Sequence, residues 1–387
     1  LFQDWIIEIG QGAGKLFFNP LLYWSIIFIV LVGIRRIKKE RQFIGTKVFD
    51  VFTEWKSTWV FSIFIGIFYS VITIGLGLVL SNETIFLLYF VTILLSLNFR
   101  FSLLSPSYTI GVTVFILLLI PNLFDASPIS GDVNLSALVI IMALFLFVEA
   151  HFLNRIRPNE SFPELELGGR GSWIGRHAIK KYAIIPFFTL VPSGFIEPFA
   201  DYWPFLSVGD TNFSMILIPF VLGFEFKVRG MLPHEAANRL SLQLLALSAF
   251  VLIIAIGSIF IPWMAIVAVG VAIIGREFIL YRFKTNDQAK TPYFNHTNRG
   301  LKILSIIPGS PAERLNIEVG ETITKVNGII INNEEILYEA LHQTGSFFKI
   351  ELIDTNGEIR FVQSAMYEGD HHELGILFAG EPYRKTK

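Results

Sequence analysis

Apolar runs long enough, or nearly long enough, to carry a helix across a bilayer recur along most of this chain, and they restrict its folds more than any other feature. A helix needs roughly 20 apolar residues to cover ~30 Å of hydrocarbon. Residues 16–34, 58–80, 135–153 and 242–261 meet that length. Residues 84–99, 103–120, 182–199, 213–226 and 263–281 are shorter and are read as spans too, with Pro262 at the turn before the last. The literal count is nine crossings, or eight if one short run is re-entrant or interfacial. Composition agrees, with 53% hydrophobic and 16% charged residues, where soluble domains carry about 25% charged. The surplus of apolar sequence must face lipid.

Basic residues set the expected orientation. Arg35, Arg36, Lys38, Lys39, Arg41, Lys47 and Lys56 crowd the first loop, and Arg155, Arg157, Arg170, Arg176, Lys180 and Lys181 a later one. Lys227, Arg229 and Arg239 mark a third, and Arg100 stands between the third and fourth runs. The intervening loops carry Glu83, Asp125, Asp132, Glu197, Asp201 and Asp210, with no Lys or Arg. Basic loops stay cytoplasmic, so the segment after the last run, which begins with Arg282 and Lys284, is expected in the cytoplasm. The parity puts the N-terminus outside, unless residues 1–15 form a short interfacial helix. No cleavable signal peptide is evident, because the basic cluster follows the first apolar run.

Several chemistries find little support. A net charge of −1 disfavours nucleic acid as a partner. The absence of cysteine excludes disulfides and thiol chemistry. His234-Glu235-Ala236-Ala237-Asn238 approaches the zinc-protease pattern H-E-x-x-H, but Asn238 replaces the second imidazole and no third ligand is evident nearby. This stretch is read as the start of the eighth helix. No soluble domain with a Ser-His-Asp set precedes residue 300. Glu149 and Glu225 lie near helix ends, away from the mid-membrane positions that transporters use. His371-His372 is read as solvent-exposed. The chain is therefore expected to be no enzyme and to need no cofactor or metal.

Composition changes near Tyr281. Residues 1–283 read as a multi-span α-helical membrane domain, 284–299 as a polar linker, and 300–380 as a small α+β domain. Residues 300–307 have the apolar density of a buried strand. Ser310-Pro311 opens a short helix, Gly320 breaks the chain before strand 321–326, and Asn327-Gly328 signals a tight turn. Asn333 caps a helix to about Gln343 with Ile336, Leu337, Ala340 and Leu341 at helical spacing. Strands 347–353, 358–363 and 374–378 follow.

The run GLKILSIIPGSPAERLNIEVGETITKVNG resembles the bacterial PDZ signature: a Gly-Leu strand, Gly-Ser-Pro-Ala, Gly before an acid, and Val-Asn-Gly. The resemblance implies peptide binding by strand addition to a sheet edge beside a helix. Glu373-Leu374-Gly375-Ile376 fits the family's carboxylate-binding loop, and its place at the end implies a permuted strand order. The implied ligand lies between Leu374, Gly375, Ile376, Leu377 and Phe378 on one side and Asn333, Leu337, Ala340 and Leu341 on the other. The plainer reading makes 374–378 only a closing strand. A side chain at Gly375 is expected to obstruct the ligand and spare most of the core.

The whole chain also resembles the MinJ division-site topology factors of Firmicute bacteria. The likeness rests on many spans before one terminal PDZ, with Phe17-Phe18-Asn19-Pro20-Leu21 before the first span and Arg35-Arg36-Ile37-Lys38-Lys39-Glu40-Arg41 after it. It implies a membrane-anchored adaptor at septum and poles that links the polar protein DivIVA to the MinCD division inhibitor through MinD. A PDZ-containing intramembrane protease or its regulator is the alternative.

Overall fold

A computed structural model describes residues 2–123, 133–169, 171–200, 203–206, 212–295, 300–343, 347–365 and 374–384. The chain begins with α1 (Phe2–Leu16), α2 (Pro20–Phe43), the short α3 (Thr53–Lys56), α4 (Trp59–Gly75) and α5 (Asn82–Ser96). A 3-10 turn over Phe101–Leu104 leads into α6 (Pro106–Leu123) and α7 (Leu135–Asn154). Then come β1 (Phe162–Leu167), β2 (Trp173–Ile196), β3 (Phe213–Val228), α8 (Pro233–Gly257) and α9 (Met264–Ala289). Helices α2, α7, α8 and α9 are long and apolar enough to cross a membrane; α4, α5 and α6 carry shorter apolar stretches. Side-chain caps fix the starts of two of them: Asn19 Oδ1 accepts from Leu21 N–H at 2.9 Å ahead of α2, and Asn134 Oδ1 accepts from Ala137 N–H at 3.0 Å ahead of α7.

The expectation of helical spans at 182–199 and 213–226 is corrected. Both runs are strands, β2 and β3, paired antiparallel in one long hairpin with β1 beside the root of β2. Length and proline explain the outcome. Fourteen residues reach only about 21 Å as a helix, but more than 40 Å as a strand. Pro186 and Pro219 lie directly opposite each other in the ladder. That pairing is tolerable where neither N–H would face the partner strand, whereas each proline inside a helix would break it. Exchanging two crossings for a hairpin that enters and leaves on one side preserves the parity of the remaining spans.

A hairpin among apolar helices must have its edges satisfied, because hydrocarbon offers no hydrogen bonds. Helix α4 supplies them along β2. Thr58 Oγ1 donates to Tyr182 O at 2.5 Å, Ser70 Oγ accepts from Phe188 N–H at 2.8 Å, and Thr73 Oγ1 donates to Phe188 O. Ser62 and Gly66 complete this stripe of small residues, all buried. At Gly66 a Cβ would stand 2.0 Å from Pro186 O, so the close approach of helix and strand requires glycine. On β3, Glu8 of α1 accepts from Ser214 Oγ at 2.6 Å and from Met215 N–H at 3.3 Å. Phe145 of α7 stacks on Phe220 with centroids 3.9 Å apart, and α7 is the most buried of the four long helices.

The C-terminal region comprises β4 (Leu301–Ile306), α10 (Pro311–Arg314), β5 (Thr322–Val326), β6 (Ile329–Ile330), α11 (Glu334–His342), β7 (Phe347–Ile353), β8 (Ile359–Ala365) and β9 (Ile376–Phe378). The sheet order is β8-β7-β5-β4-β9, with β6 beside β5. The Asn327-Gly328 turn has φ of +50° and +87°, the left-handed pair of a tight hairpin turn. Ile303, Ile323, Leu337, Leu341, Phe348 and Ile350 are among the residues of its own core.

This region is docked on the basic side of the membrane region. Residues 284–289, expected in a linker, continue α9, and Phe294 is buried, its O accepting from Gly175 N–H at 2.9 Å. Leu304, Val319 and Ala379 pack with Leu165, Leu232 and Phe294. Arg176, Lys180, Lys181 and Lys227, expected in loops, stand on the hairpin root and pair with Glu164, Glu225 or Glu160 at 2.8–3.0 Å. Arg36 is buried between Glu40 (2.5 Å) and Glu54 (2.7 Å). Glu40 also accepts from Val48 N–H at 2.9 Å, which holds Val48 and Phe49 against Phe162, with Leu377 packed on the same cluster.

Candidate peptide-binding groove

Strand β9 is an outer strand of its sheet: Ile303, Ser305 and Ile306 of β4 pair with Phe378, Leu377 and Ile376. Helix α11 lies alongside. Leu337, Tyr338 and Leu341 from the helix and Leu374, Ile376 and Phe378 from the strand segment line an apolar cleft between them. Its volume is about 10 Å³, roughly the room one water needs. The two walls are nearly in contact, and the cleft in this conformation has no room for an extended segment.

The remaining residues named from the sequence do other work. Asn333 is the N-cap of α11, accepting from Ile336 N–H at 2.8 Å. Ala340 is in the core of the C-terminal region. Strand alternation turns Leu377 away from the cleft, onto the cluster of Val48, Phe49, Phe162 and Ala178. Gly375 shapes a turn at φ +76°, and a Cβ there would stand 2.3 Å from Ser310 Cβ. The expectation that a side chain at Gly375 would spare the core is thus corrected: it would force the turn and Ser310 apart. Glu373, His371 and His372 lie outside the described residues. Tyr338, missed from the sequence, was open to discovery as the position one turn before Leu341 on the face that carries Leu337.

Away from the groove, Pro233–Asn238 forms the first turns of α8. Among the described residues no three His, Asp or Glu side chains gather as a metal site would require. Sequence reasoning also missed a buried ion pair. Arg276 of α9 reaches Glu149 of α7 at 2.9 Å, and Ser105 Oγ donates to the other carboxylate oxygen at 2.5 Å. Glu149 lies near the end of α7, as the apolar run implies, but nothing local marks Arg276 as its partner.

No family-level sequence profile matches the chain. Its similarity to individual proteins is decisive, however. The cell division topological determinant MinJ of Bacillus subtilis (strain 168) is 33% identical over 380 residues, covering 97% of this chain and 96% of the relative. The chain belongs to the MinJ family. Probable MinJ proteins of Lacticaseibacillus paracasei and Lacticaseibacillus casei (strain BD-II) are each 26% identical over 84 residues, 22% of this chain and 23% of theirs. Membership of the MinJ family, with four helices fit to span a bilayer, makes this a membrane protein of cell division.

Proposed function

We propose that the chain is a membrane-anchored adaptor for division-site selection, with a binding rather than a catalytic role, whose C-terminal region is a permuted PDZ-like domain in the cytoplasm. The observation that carries this reading is the apolar cleft between α11 and the outer strand β9. An extended partner segment would add to β9 through its backbone, and its side chains would enter between Leu337, Tyr338, Leu341 and Phe378. The partners would be a DivIVA-like polar protein and the MinD-like ATPase of the MinCD inhibitor, met at septum and poles. The one-sided basic residues support the cytoplasmic placement. The protease alternative gains no supporting observation.

Half-buried Tyr338 and Phe378 are the usable probes, because a charged or polar side chain there blocks the cleft without being placed in the fully buried core. Tyr338→Glu and Phe378→Gln should each reduce septal recruitment of the inhibitor at least tenfold at equal abundance and unchanged melting temperature. Tyr338→Phe should recruit within twofold of wild type. A reporter fused after Lys387 should read cytoplasmic. Wild-type recruitment by both groove variants, or an external reporter, would sink the proposal.

A further inference from the structure

A second cleft, of about 370 Å³, lies between the first turns of α8 and the last turns of α9. Arg239 and Gln243, one turn apart, form one wall; Arg282 and Asn286, one turn apart on α9, and Lys290, the residue that caps its C-terminus, form the other. Among the described residues neither arginine nor Lys290 has an ion-pair partner. The acid of the lining, Asp287, is occupied: its two oxygens accept from the backbone N–H groups of Arg229 and Gly230 at 2.9 Å each. Behind that turn Arg229 donates to Gln288 O at 2.8 Å and keeps its Nε buried without an acceptor. With Arg239, Arg282 and Lys290 set against the single carboxylate of Asp287, the lining carries a net positive charge, with two guanidinium forks suited to phosphate oxygens.

Its position in the helices narrows the ligand. No ionisable residue occurs from Leu240 to Ile261, so Arg239 is the last charge before the apolar body of α8. On α9, Phe278 lies one turn outward from Arg282. Leu242 and Phe278 are exposed at 68% and 60%, on helices whose apolar surface faces lipid. Cationic groups at the interface above exposed apolar helix faces match a molecule with an anionic head and an apolar body. We propose that this cleft binds the phosphate-bearing headgroup of an anionic phospholipid, whose acyl chains run outward over Leu242 and Phe278.

The test is thermal melting of the full chain in detergent, titrated with phosphatidylglycerol, phosphatidylcholine or inorganic phosphate. Phosphatidylglycerol should raise Tm, because it binds the folded state, while phosphatidylcholine and inorganic phosphate should not. The Arg239→Gln, Arg282→Gln double variant should need about tenfold more phosphatidylglycerol for the same rise. Lys38→Gln with Lys39→Gln removes equal charge from exposed positions of the first basic segment and should titrate as wild type. Three results would overturn the proposal: an unchanged titration in the arginine variant, an equal loss in the lysine variant, or an equal rise with inorganic phosphate. The last would assign the cleft to a soluble phosphate compound.

Discussion

At the scale of single residues, the tightest glycine among the described residues is Gly66. A Cβ there would meet Pro186 O at 2.0 Å, and backbone cannot move aside as a flexible side chain can. Gly66→Val should cost at least 1–3 kcal/mol, the usual range for overpacking, and lower the melting temperature in detergent. Gly10 of α1 has nothing within 4 Å of its built Cβ. Gly10→Ala should therefore be neutral or stabilise by up to about 1 kcal/mol. Equal losses in the two variants would remove the steric argument. Sequence reasoning could see the stripe Thr58, Ser62, Gly66, Ser70 only as small residues in an apolar run. What it faces, a strand edge in need of donors and acceptors, is a property of residues more than a hundred positions away. By contrast, the cap at Asn333 and the Asn327-Gly328 turn were legible, because their chemistry is complete within four residues.

At the scale of elements, the hairpin marks where hydropathy alone stops discriminating. Residues 182–199 are as apolar as a span, and only their prolines and the shortness of 213–226 argued against helix. The helices around the hairpin are held by more than apolar contact. Arg276 and Glu149 join α9 to α7 at 2.9 Å, both side chains nearly inaccessible to solvent. Removing one partner of such a pair strands a buried charge and typically costs 3–5 kcal/mol, while replacing both by apolar residues costs far less. Glu149→Leu should thus destabilise severely, and the double variant Glu149→Leu, Arg276→Leu should recover most of the loss. Additive losses in the double variant would show that the pair does not act as a unit. The groove was partly legible in the same sense. Helical spacing found Leu337 and Leu341, and the apolar tail of the chain found Ile376 and Phe378. The outward turn of Leu377 depends on a surface of the membrane region that no local pattern announces.

At the scale of the whole molecule, the junction between the two regions carries its own pH dependence. His177 sits at the hairpin root, outside the apolar spans, with its ring 4.7 Å from that of Phe294 and Nδ1 2.9 Å from Ser161 Oγ. Burial pushes its pKa down to about 3 from the ordinary 6.5. The folded state therefore keeps the ring neutral where the unfolded chain binds a proton. Stability is complete above pH 6.5 and falls as pH drops toward 3, by about 1.4 kcal/mol per pH unit for one proton. Between pH 7.5 and 5 the melting temperature should decline, and His177→Gln should flatten that decline. An unchanged slope in the variant would place the titration elsewhere.

The C-terminal region enters through Phe294, fixed to Gly175, and leaves through Tyr383 and Arg384, whose N–H groups donate to Phe43 O and Gln42 O at 2.9 and 3.1 Å. Between those two ties Leu304, Val319, Ala379 and Leu377 pack on the membrane region, so the C-terminal region is clamped along a face and does not swing from a single leash. A partner bound at β9 as proposed would therefore be presented in a set orientation, and the geometry of whatever assembled there would follow from the membrane region beneath it.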